Sequence, residues 1–156
     1  MAKKAAFSPS KRAEAAASCA CSNFRKAARA ITQLYDHALQ PSGLRSTQLI
    51  LLLEIAVAES ITVSRLARRL VMDSSTVTRN LKPLTNHGLI NQIENKHKRG
   101  QAYALTRKGD EALQDAMPLW EKAQDLIVSG FDEKHWSALL DNLSEITKLA
   151  RGMTQI

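Results

Sequence analysis

Residues 61–106 carry the pattern that most constrains the fold of this chain. Two short segments with the apolar spacing of helices, at about 62–70 and 73–87, follow each other across a turn. Two apolar runs, 89–93 and 102–105, then flank a polar tip that contains Gly100, which is the pattern of a β-hairpin. The sequence therefore predicts a small unit of two consecutive helices followed by a two-stranded ribbon.

The second of these helices has one apolar stripe, because Val77, Leu81 and Leu84 recur at helical spacing. Asp73 or Ser74 is expected to cap its start, since a short side-chain oxygen accepts a hydrogen bond from a first-turn amide. The stripe predicts which face of the helix enters the core and which faces solvent.

The same helix is expected to end at Gly88, because glycine adopts the left-handed conformation at little steric cost. Pro83 lies inside the pattern and removes a backbone hydrogen bond, which costs about 3 kcal/mol in a helix interior. A kink over residues 79–82, or an early end of the helix, is therefore predicted.

The polar face of this helix combines hydroxyl, amide and cationic side chains. Hydroxyls approach base edges and phosphates closely, arginine pairs bidentately with guanine, and lysine neutralises phosphate. An ordinary solvated helix face is the alternative. Together with the neighbouring elements, this face indicates a winged helix-turn-helix that enters duplex DNA, in a fold that is mainly α with a small β-hairpin wing. The candidate DNA contacts on the helix are Ser74, Ser75, Thr76, Thr78, Arg79 and Lys82.

Further cationic candidates flank that helix. Arg65 and Arg68 lie on the exposed side of the preceding helix, where they are expected to bond phosphates. Lys96, Lys98 and Arg99 lie in the hairpin tip, and a long arginine there can reach a minor groove, where negative potential is concentrated. A solvated loop is the alternative for the tip.

Composition supports a polyanionic partner. Lys and Arg number 22 against 15 Asp and Glu, which gives a net charge of +7. No apolar run reaches the roughly 18 residues that would span a bilayer, so no membrane partner is expected. Two cysteines separated by one residue are not a disulfide framework, which indicates a cytoplasmic location. No glycine-rich phosphate loop, metal cluster or nucleophile–base pair appears, which predicts neither an enzyme nor a cofactor. A non-specific nucleic-acid-packaging module is the alternative function.

A chain of 156 residues accommodates one domain with four segments. Residues 1–18 are predicted as a flexible basic tail, or alternatively as a helix from Lys11 onward, and residues 19–45 as a first helix for dimerisation and sensing. Residues 46–106 form the DNA-binding lobe and residues 107–156 two C-terminal helices. The two C-terminal helices carry more apolar surface than the lobe can cover. We therefore expect the remaining apolar surface to be buried against the first helix and a second copy of the chain.

The order of these elements resembles the MarR family of bacterial transcription factors, over about residues 21–150. The most specific segments are SRLARRLVMDSSTVTRNLKPLTNHGLI and KRGQAYALTRKGDEAL. The resemblance implies a homodimer with interlocked terminal helices that reads a pseudo-palindrome, with Arg99 as the wing arginine in the minor groove. The family's usual aspartate two positions earlier is replaced by His97, whose charge is sensitive to pH near neutrality. The resemblance also implies an aromatic effector in the cleft between the dimer helices and the lobe.

The stretch CSNFRKAARAITQLYDHALQPSGL is also similar to the organic-hydroperoxide-sensing branch of that family. The resemblance assigns Cys21 as the oxidised thiol and Tyr35 as an assisting tyrosine, while a second assisting tyrosine is replaced by Arg25. Independently, a thiol near a helix start and beside cations is expected to favour the thiolate. Cys19 is then the candidate resolving thiol. Two inert thiols are the alternative, and the four histidines show no metal-ligand spacing.

Overall fold

The computed structural model describes residues 8–94 and 101–154, and within them most residues are helical. The elements in chain order are α1 (Pro9–Ser18), α2 (Ala20–Leu39), α3 (Ser46–Ala58), α4 (Val63–Leu70), α5 (Ser74–Asn86), β1 (Ile90–Glu94), β2 (Gln101–Leu105), α6 (Arg107–Val128) and α7 (Glu133–Thr154). A short 3-10 turn, Gln40–Ser42, connects α2 to α3. The predicted class, mainly α with one small β-hairpin, is confirmed.

The first described segment is a helix and not a tail. Ser8 caps α1 by accepting the Lys11 N–H at 3.3 Å, and Pro9 occupies the first turn, where its missing N–H removes no helical hydrogen bond. Every residue of α1 is exposed. The helical alternative therefore holds for residues 9–18, with a start two residues before Lys11.

The core of the lobe lies where α3, α5 and the hairpin meet. Val77, Leu81 and Leu84 are buried on the inner face of α5, as their spacing predicts. They pack with the buried apolar residues of α3, which are Leu49, Leu51, Leu52 and Ile55. The lobe thereby fixes the rotation of α5 about its own axis and leaves the opposite face outward.

The start of α3 is bonded to α2. The Asp36 carboxylate of α2 accepts the N–H and the hydroxyl of Ser46, each at 2.7 Å from Oδ1. Ser46 is the first residue of α3, so the carboxylate satisfies a backbone N–H that the helix itself cannot. This polar connection joins the first long helix to the lobe.

Strands β1 and β2 pair antiparallel in a register that runs from Ile90 opposite Leu105 to Glu94 opposite Gln101. Ile61 adds a short bridge beside β2 by exchanging backbone hydrogen bonds with Tyr103 at 3.0 and 2.8 Å. The predicted hairpin is confirmed. Its tip, with Lys96, His97, Lys98 and Arg99, lies outside the described residues.

Helix α6 begins against the base of the hairpin. Thr106 caps it by accepting the Gly109 N–H at 3.0 Å, while the Thr106 hydroxyl donates to the Gly88 carbonyl at 2.6 Å. Gly109 itself is buried, and a Cβ added to it would lie 1.9 Å from the Leu89 carbonyl oxygen. Absence of a side chain at this position therefore permits the close approach of α6 to the hairpin.

The two ends of the chain expose apolar side chains. Phe24 and Ile31 of α2 are 40 % and 43 % exposed. Helix α7 exposes a row at helical spacing, namely Leu140, Leu143, Ile146, Leu149 and Met153. The described residues of a single chain therefore do not bury these side chains. No described helix is both long enough and apolar enough to cross a membrane.

Candidate nucleic-acid interface

Asp73 organises the first turn of α5. Its Oδ1 accepts the Thr76 N–H at 2.8 Å, as an N-cap does, and also the Ser75 hydroxyl at 2.5 Å. Its Oδ2 accepts the Thr76 hydroxyl at 2.6 Å. Hydrogen bonds from the Ser75 hydroxyl first, and then from the hydroxyl and N–H of Thr76, hold the pKa of the Asp73 carboxyl well below its usual range. Of the two caps that the sequence allowed, Asp73 is the one the structure uses.

The polar face predicted for α5 points away from the core. Five of its six residues are exposed and Thr76 is half-buried. The exposed ones are Ser74, Ser75, Thr78, Arg79 and Lys82. Their exposure follows from the burial of the apolar stripe on the other side of the same helix. The structure therefore brings all six together on one accessible helix.

Three hydroxyls of these residues already donate their protons within the protein. Ser75 and Thr76 donate to Asp73, and Thr78 donates to the Ser74 carbonyl at 2.8 Å. The Arg79 guanidinium donates from Nη2 to the Thr76 hydroxyl at 3.1 Å. A hydroxyl whose proton is used retains acceptor lone pairs, so toward an external partner these three hydroxyls are acceptors, while Arg79 and Lys82 are donors.

Helix α5 continues through Pro83 to Asn86, so the predicted early end is wrong. Pro83 is exposed and lacks the N–H that would bond the Arg79 carbonyl in a regular helix. The helix stops at Gly88 as predicted, with φ +69° and its N–H bonded to the Thr85 carbonyl at 2.9 Å. The kink over residues 79–82 remains a prediction.

Helix α4 packs against α5 and presents Arg65 and Arg68 to solvent. A third arginine on this helix, Arg69, forms an ion pair with Glu54 of α3. The turn after α4 places Val71 in the left-handed region, at φ +53°. The Arg68 carbonyl accepts a hydrogen bond from Arg151 of α7 at 3.2 Å, which is a contact that apolar spacing alone does not reveal.

The candidate sensing residues do not meet within one chain. Cys19 and Cys21 are both exposed and lie where α1 gives way to α2. Tyr35 lies on the same α2, fourteen positions after Cys21, which at the rise of an α-helix is about 21 Å. Its hydroxyl bonds the Gln124 Oε1 of α6 instead, and burial raises the pKa of Tyr35. An assisting contact from Tyr35 to Cys21 therefore requires a second copy of the chain.

Tyr35 lines a cavity of about 180 Å³ between α2, α3 and α6. Ile50 and Leu53 of α3 and Trp120 of α6 form other parts of its wall, which is mostly apolar. The effector cleft that the resemblance implies, between the dimer helices and the lobe, remains an expectation. In the described part of the chain, no group of three or more His, Cys, Asp or Glu side chains is arranged to hold a metal ion.

Comparison with known proteins places these features in context. A sequence model of the MarR family matches residues 42–100. The crystal structure of the M. tuberculosis transcriptional regulator MosR is 34 % identical, with 88 % of this chain and 98 % of that chain covered and a TM-score of 0.78. MosR in complex with DNA is 35 % identical, with 85 % and 98 % covered and a TM-score of 0.73.

A mutant MarR from E. coli complexed with operator DNA shares the fold at 20 % identity, with 79 % of this chain and 89 % of that chain covered and a TM-score of 0.73. No curated protein matches the chain.

Proposed function

The chain belongs to the MarR family of transcriptional regulators, which are not enzymes, and on that basis we propose that it is a sequence-specific DNA-binding regulator. The single observation that carries this proposal is the outward face of α5. Arg79 and Lys82 are exposed there together with hydroxyls that can accept hydrogen bonds, while the apolar stripe on the other side of the helix is fully buried. Such a face fits a major groove, because its donor and acceptor groups match base edges and phosphates.

The DNA complex of MosR supports the proposal, since that regulator is 35 % identical to this chain over nearly its whole length. In the proposed mode α5 enters the major groove of this protein's operator. The flanking phosphates are bonded by Arg65 and Arg68 of α4. The adjacent minor groove and its phosphates are contacted by the cationic residues of the hairpin tip, which are Lys96, Lys98 and Arg99.

We infer a homodimer from the exposed apolar rows of α2 and α7. A second copy related by a two-fold axis presents the same rows and covers them, as self-complementary interfaces do. Two copies of α5 at a fixed separation then require an operator with two half-sites. The proposed target is accordingly a pseudo-palindrome whose half-sites are centred about one helical turn apart.

The test is footprinting on the DNA that flanks the coding region, followed by affinity measurements on the protected duplex and on a shuffled duplex of equal length. We expect a protected inverted repeat and a salt-dependent affinity that is at least about 1,000-fold higher for it. Equal affinity for both duplexes would overturn specific regulation. It would favour the alternative function, a non-specific nucleic-acid-packaging module, for which the net charge of +7 is also suitable.

We further propose that the protein represses transcription and that a chemical signal releases it from DNA. One route is oxidation by a hydroperoxide: the Cys21 thiolate attacks the terminal peroxide oxygen, the O–O bond breaks, and the leaving alkoxide takes a proton from water, which gives a sulfenic acid and an alcohol. The Cys19 thiol then attacks that sulfur, forming a disulfide and releasing water. The exposure of both thiols supports this route. The other route is an aromatic ligand in the cavity beside Tyr35 and Trp120.

The routes separate in one experiment on the DNA-bound protein. Hydroperoxide should release the native protein and leave Cys21→Ser bound, whereas a phenolic acid should release both. Release of Cys21→Ser by hydroperoxide at the native rate overturns the oxidation route. A Leu53→Trp variant, which fills the cavity, should lose the phenolic response and keep the oxidative one.

A further inference from the structure

We propose that Asp73 is a positioning residue for base recognition, which acts through the Thr76 hydroxyl to hold the Arg79 guanidinium in place before DNA binds. The inference rests on the proposed function, because it assigns Arg79 a role in reading bases. It adds Asp73 and Thr76 as determinants of specificity that need not touch a base themselves.

The three residues form one directed chain of hydrogen bonds. The Thr76 hydroxyl donates its proton to Asp73 Oδ2 at 2.6 Å and accepts from Arg79 Nη2 at 3.1 Å. A hydroxyl has a single proton, so donation to the carboxylate turns its lone pairs toward the guanidinium. Without that acceptor, the Thr76 hydroxyl proton has no fixed partner at the start of the helix, and its lone pairs no longer have a fixed direction.

The two oxygens of Asp73 have different tasks. Oδ1 accepts the Thr76 N–H and the Ser75 hydroxyl and thereby caps α5, while Oδ2 accepts only the hydroxyl of Thr76 among the described contacts. Capping needs one acceptor, which asparagine supplies as well as aspartate. The second oxygen is thus free of the capping task and serves the connection to Arg79.

Positioning matters for this arginine because its side chain is long and exposed. A free arginine loses rotamer freedom when it pairs with guanine, and this loss opposes binding. An arginine already bonded to Thr76 has lost part of that freedom in the free protein. The consequence is stronger discrimination at the base that Arg79 reads, with little effect on binding to phosphates.

Substitutions at Thr76 separate this role from capping and from charge. Thr76→Val keeps the shape, the net charge and the N–H that Asp73 caps, but it removes the hydroxyl. We expect it to lower the ratio of operator to shuffled-DNA affinity by roughly fivefold, the value of one modest hydrogen bond. Thr76→Ser keeps the hydroxyl and should stay within about twofold of the native ratio. Asp73→Asn should lower the ratio like Thr76→Val while the helix remains capped.

A double-mutant cycle with Arg79→Ala tests whether the effect passes through Arg79. In the Arg79→Ala background, Thr76→Val should no longer change the affinity ratio. A loss of equal size in both backgrounds, or no loss in the native background, overturns the positioning role. If Arg79→Ala alone leaves discrimination intact, the assignment of Arg79 in the proposed function fails, and the base-recognition role of Asp73 fails with it.

A second measurement needs no DNA. Side-chain NMR of the free protein should show a more ordered Arg79 guanidinium than that of the exposed Arg65. In Thr76→Val the two should become alike, with unchanged order in the backbone of α5. An Arg79 guanidinium as mobile in the native protein as in Thr76→Val contradicts the hydrogen-bonded chain, whatever the DNA results are.

Discussion

The Asp36 carboxylate of α2 accepts two hydrogen bonds from Ser46, one from the N–H and one from the hydroxyl, at 2.7 Å each. Burial alone would raise the pKa of Asp36, but these two bonds and the charge of Arg45 hold it below its ordinary value. Ser46 is buried and also lines the cavity beside Tyr35. One polar contact therefore fixes α2 against the lobe at the edge of the proposed effector cavity.

Asp36→Ala should destabilise the protein by about 1–2 kcal/mol, because it removes the acceptor for a helix-start N–H and leaves the buried Ser46 hydroxyl without it. Urea unfolding measures the loss. Asp115→Ala, an exposed acid within α6, is the matched control and should change the free energy of unfolding by less than about 0.5 kcal/mol. Equal stabilities of the two variants would contradict the assigned role of Asp36.

The stability of the native protein should fall in acid. A carboxyl whose pKa is lowered in the folded state contributes stability above its unfolded pKa, near 4, and that contribution disappears as the pH falls through the folded pKa. Urea midpoints from about pH 6 to about pH 2 measure the slope. Asp36→Asn should flatten it without abolishing it, since the pKa values of Asp73 and Asp132 are also lowered. An unchanged slope in Asp36→Asn would show that Asp36 is not one of the responsible groups.

Gly109→Ala should destabilise the fold although alanine is the better helix former by about 1 kcal/mol. The added Cβ would lie 1.9 Å from the Leu89 carbonyl, so α6 must move from the hairpin, at a cost of about 1–3 kcal/mol. Gly152→Ala in α7 meets nothing within 4 Å and should be neutral or stabilising. Thermal unfolding compares the two variants, and a Gly109→Ala protein as stable as Gly152→Ala would refute the close approach.

Arg79→Ala and Arg65→Ala should weaken DNA binding in different ways. Arg79→Ala is expected to cost about 1–3 kcal/mol on the operator and to relax the preference at one base position. Arg65→Ala should weaken binding equally on operator and shuffled DNA and reduce the salt dependence by about one counterion. Arg99→Ala should likewise weaken binding with little change of preferred site. Competition assays over a range of salt concentrations distinguish these patterns. If Arg79→Ala and Arg65→Ala lost affinity equally on both duplexes and with the same salt dependence, a base-reading role for Arg79 would be rejected.

Leu143→Asp should dissociate the proposed dimer, because it places a carboxylate in the apolar row of α7 that a second copy covers. Sedimentation velocity at micromolar concentration measures the shift toward monomer. Glu145→Ala, which lies two residues away and off that row, should sediment like the native protein. A native-like sedimentation coefficient for Leu143→Asp would place the interface elsewhere.

The helix and hairpin pattern of the lobe could be predicted because it depends on local spacing. The stripe of Val77, Leu81 and Leu84 specifies the buried face of α5, and Gly88 specifies its end. The requirement for glycine at position 109 could not be predicted, since it arises from a carbonyl twenty residues earlier in the chain. The Asp36–Ser46 contact has the same non-local origin.

The candidate site was predictable to a similar degree. The six candidates on α5 were selected by their position opposite the stripe, beside it or at the helix start, and five of them are exposed while Thr76 is half-buried. The order among them was not predictable, because the hydrogen bonds that join Asp73, Thr76 and Arg79 depend on rotamers rather than on spacing. Tyr35 and Cys21 were linked by resemblance alone, and the length of α2 separates them within one chain.

The apolar row on α7 also has a consequence for gene control. If a DNA-binding unit is completed only when two chains meet on that row, then promoter occupancy at low abundance rises with the square of the amount synthesised. Small changes in translation would then produce disproportionate changes in transcription of the target genes. Helix α7, which lies far along the chain from the DNA-facing residues, would in this way set the threshold of the response.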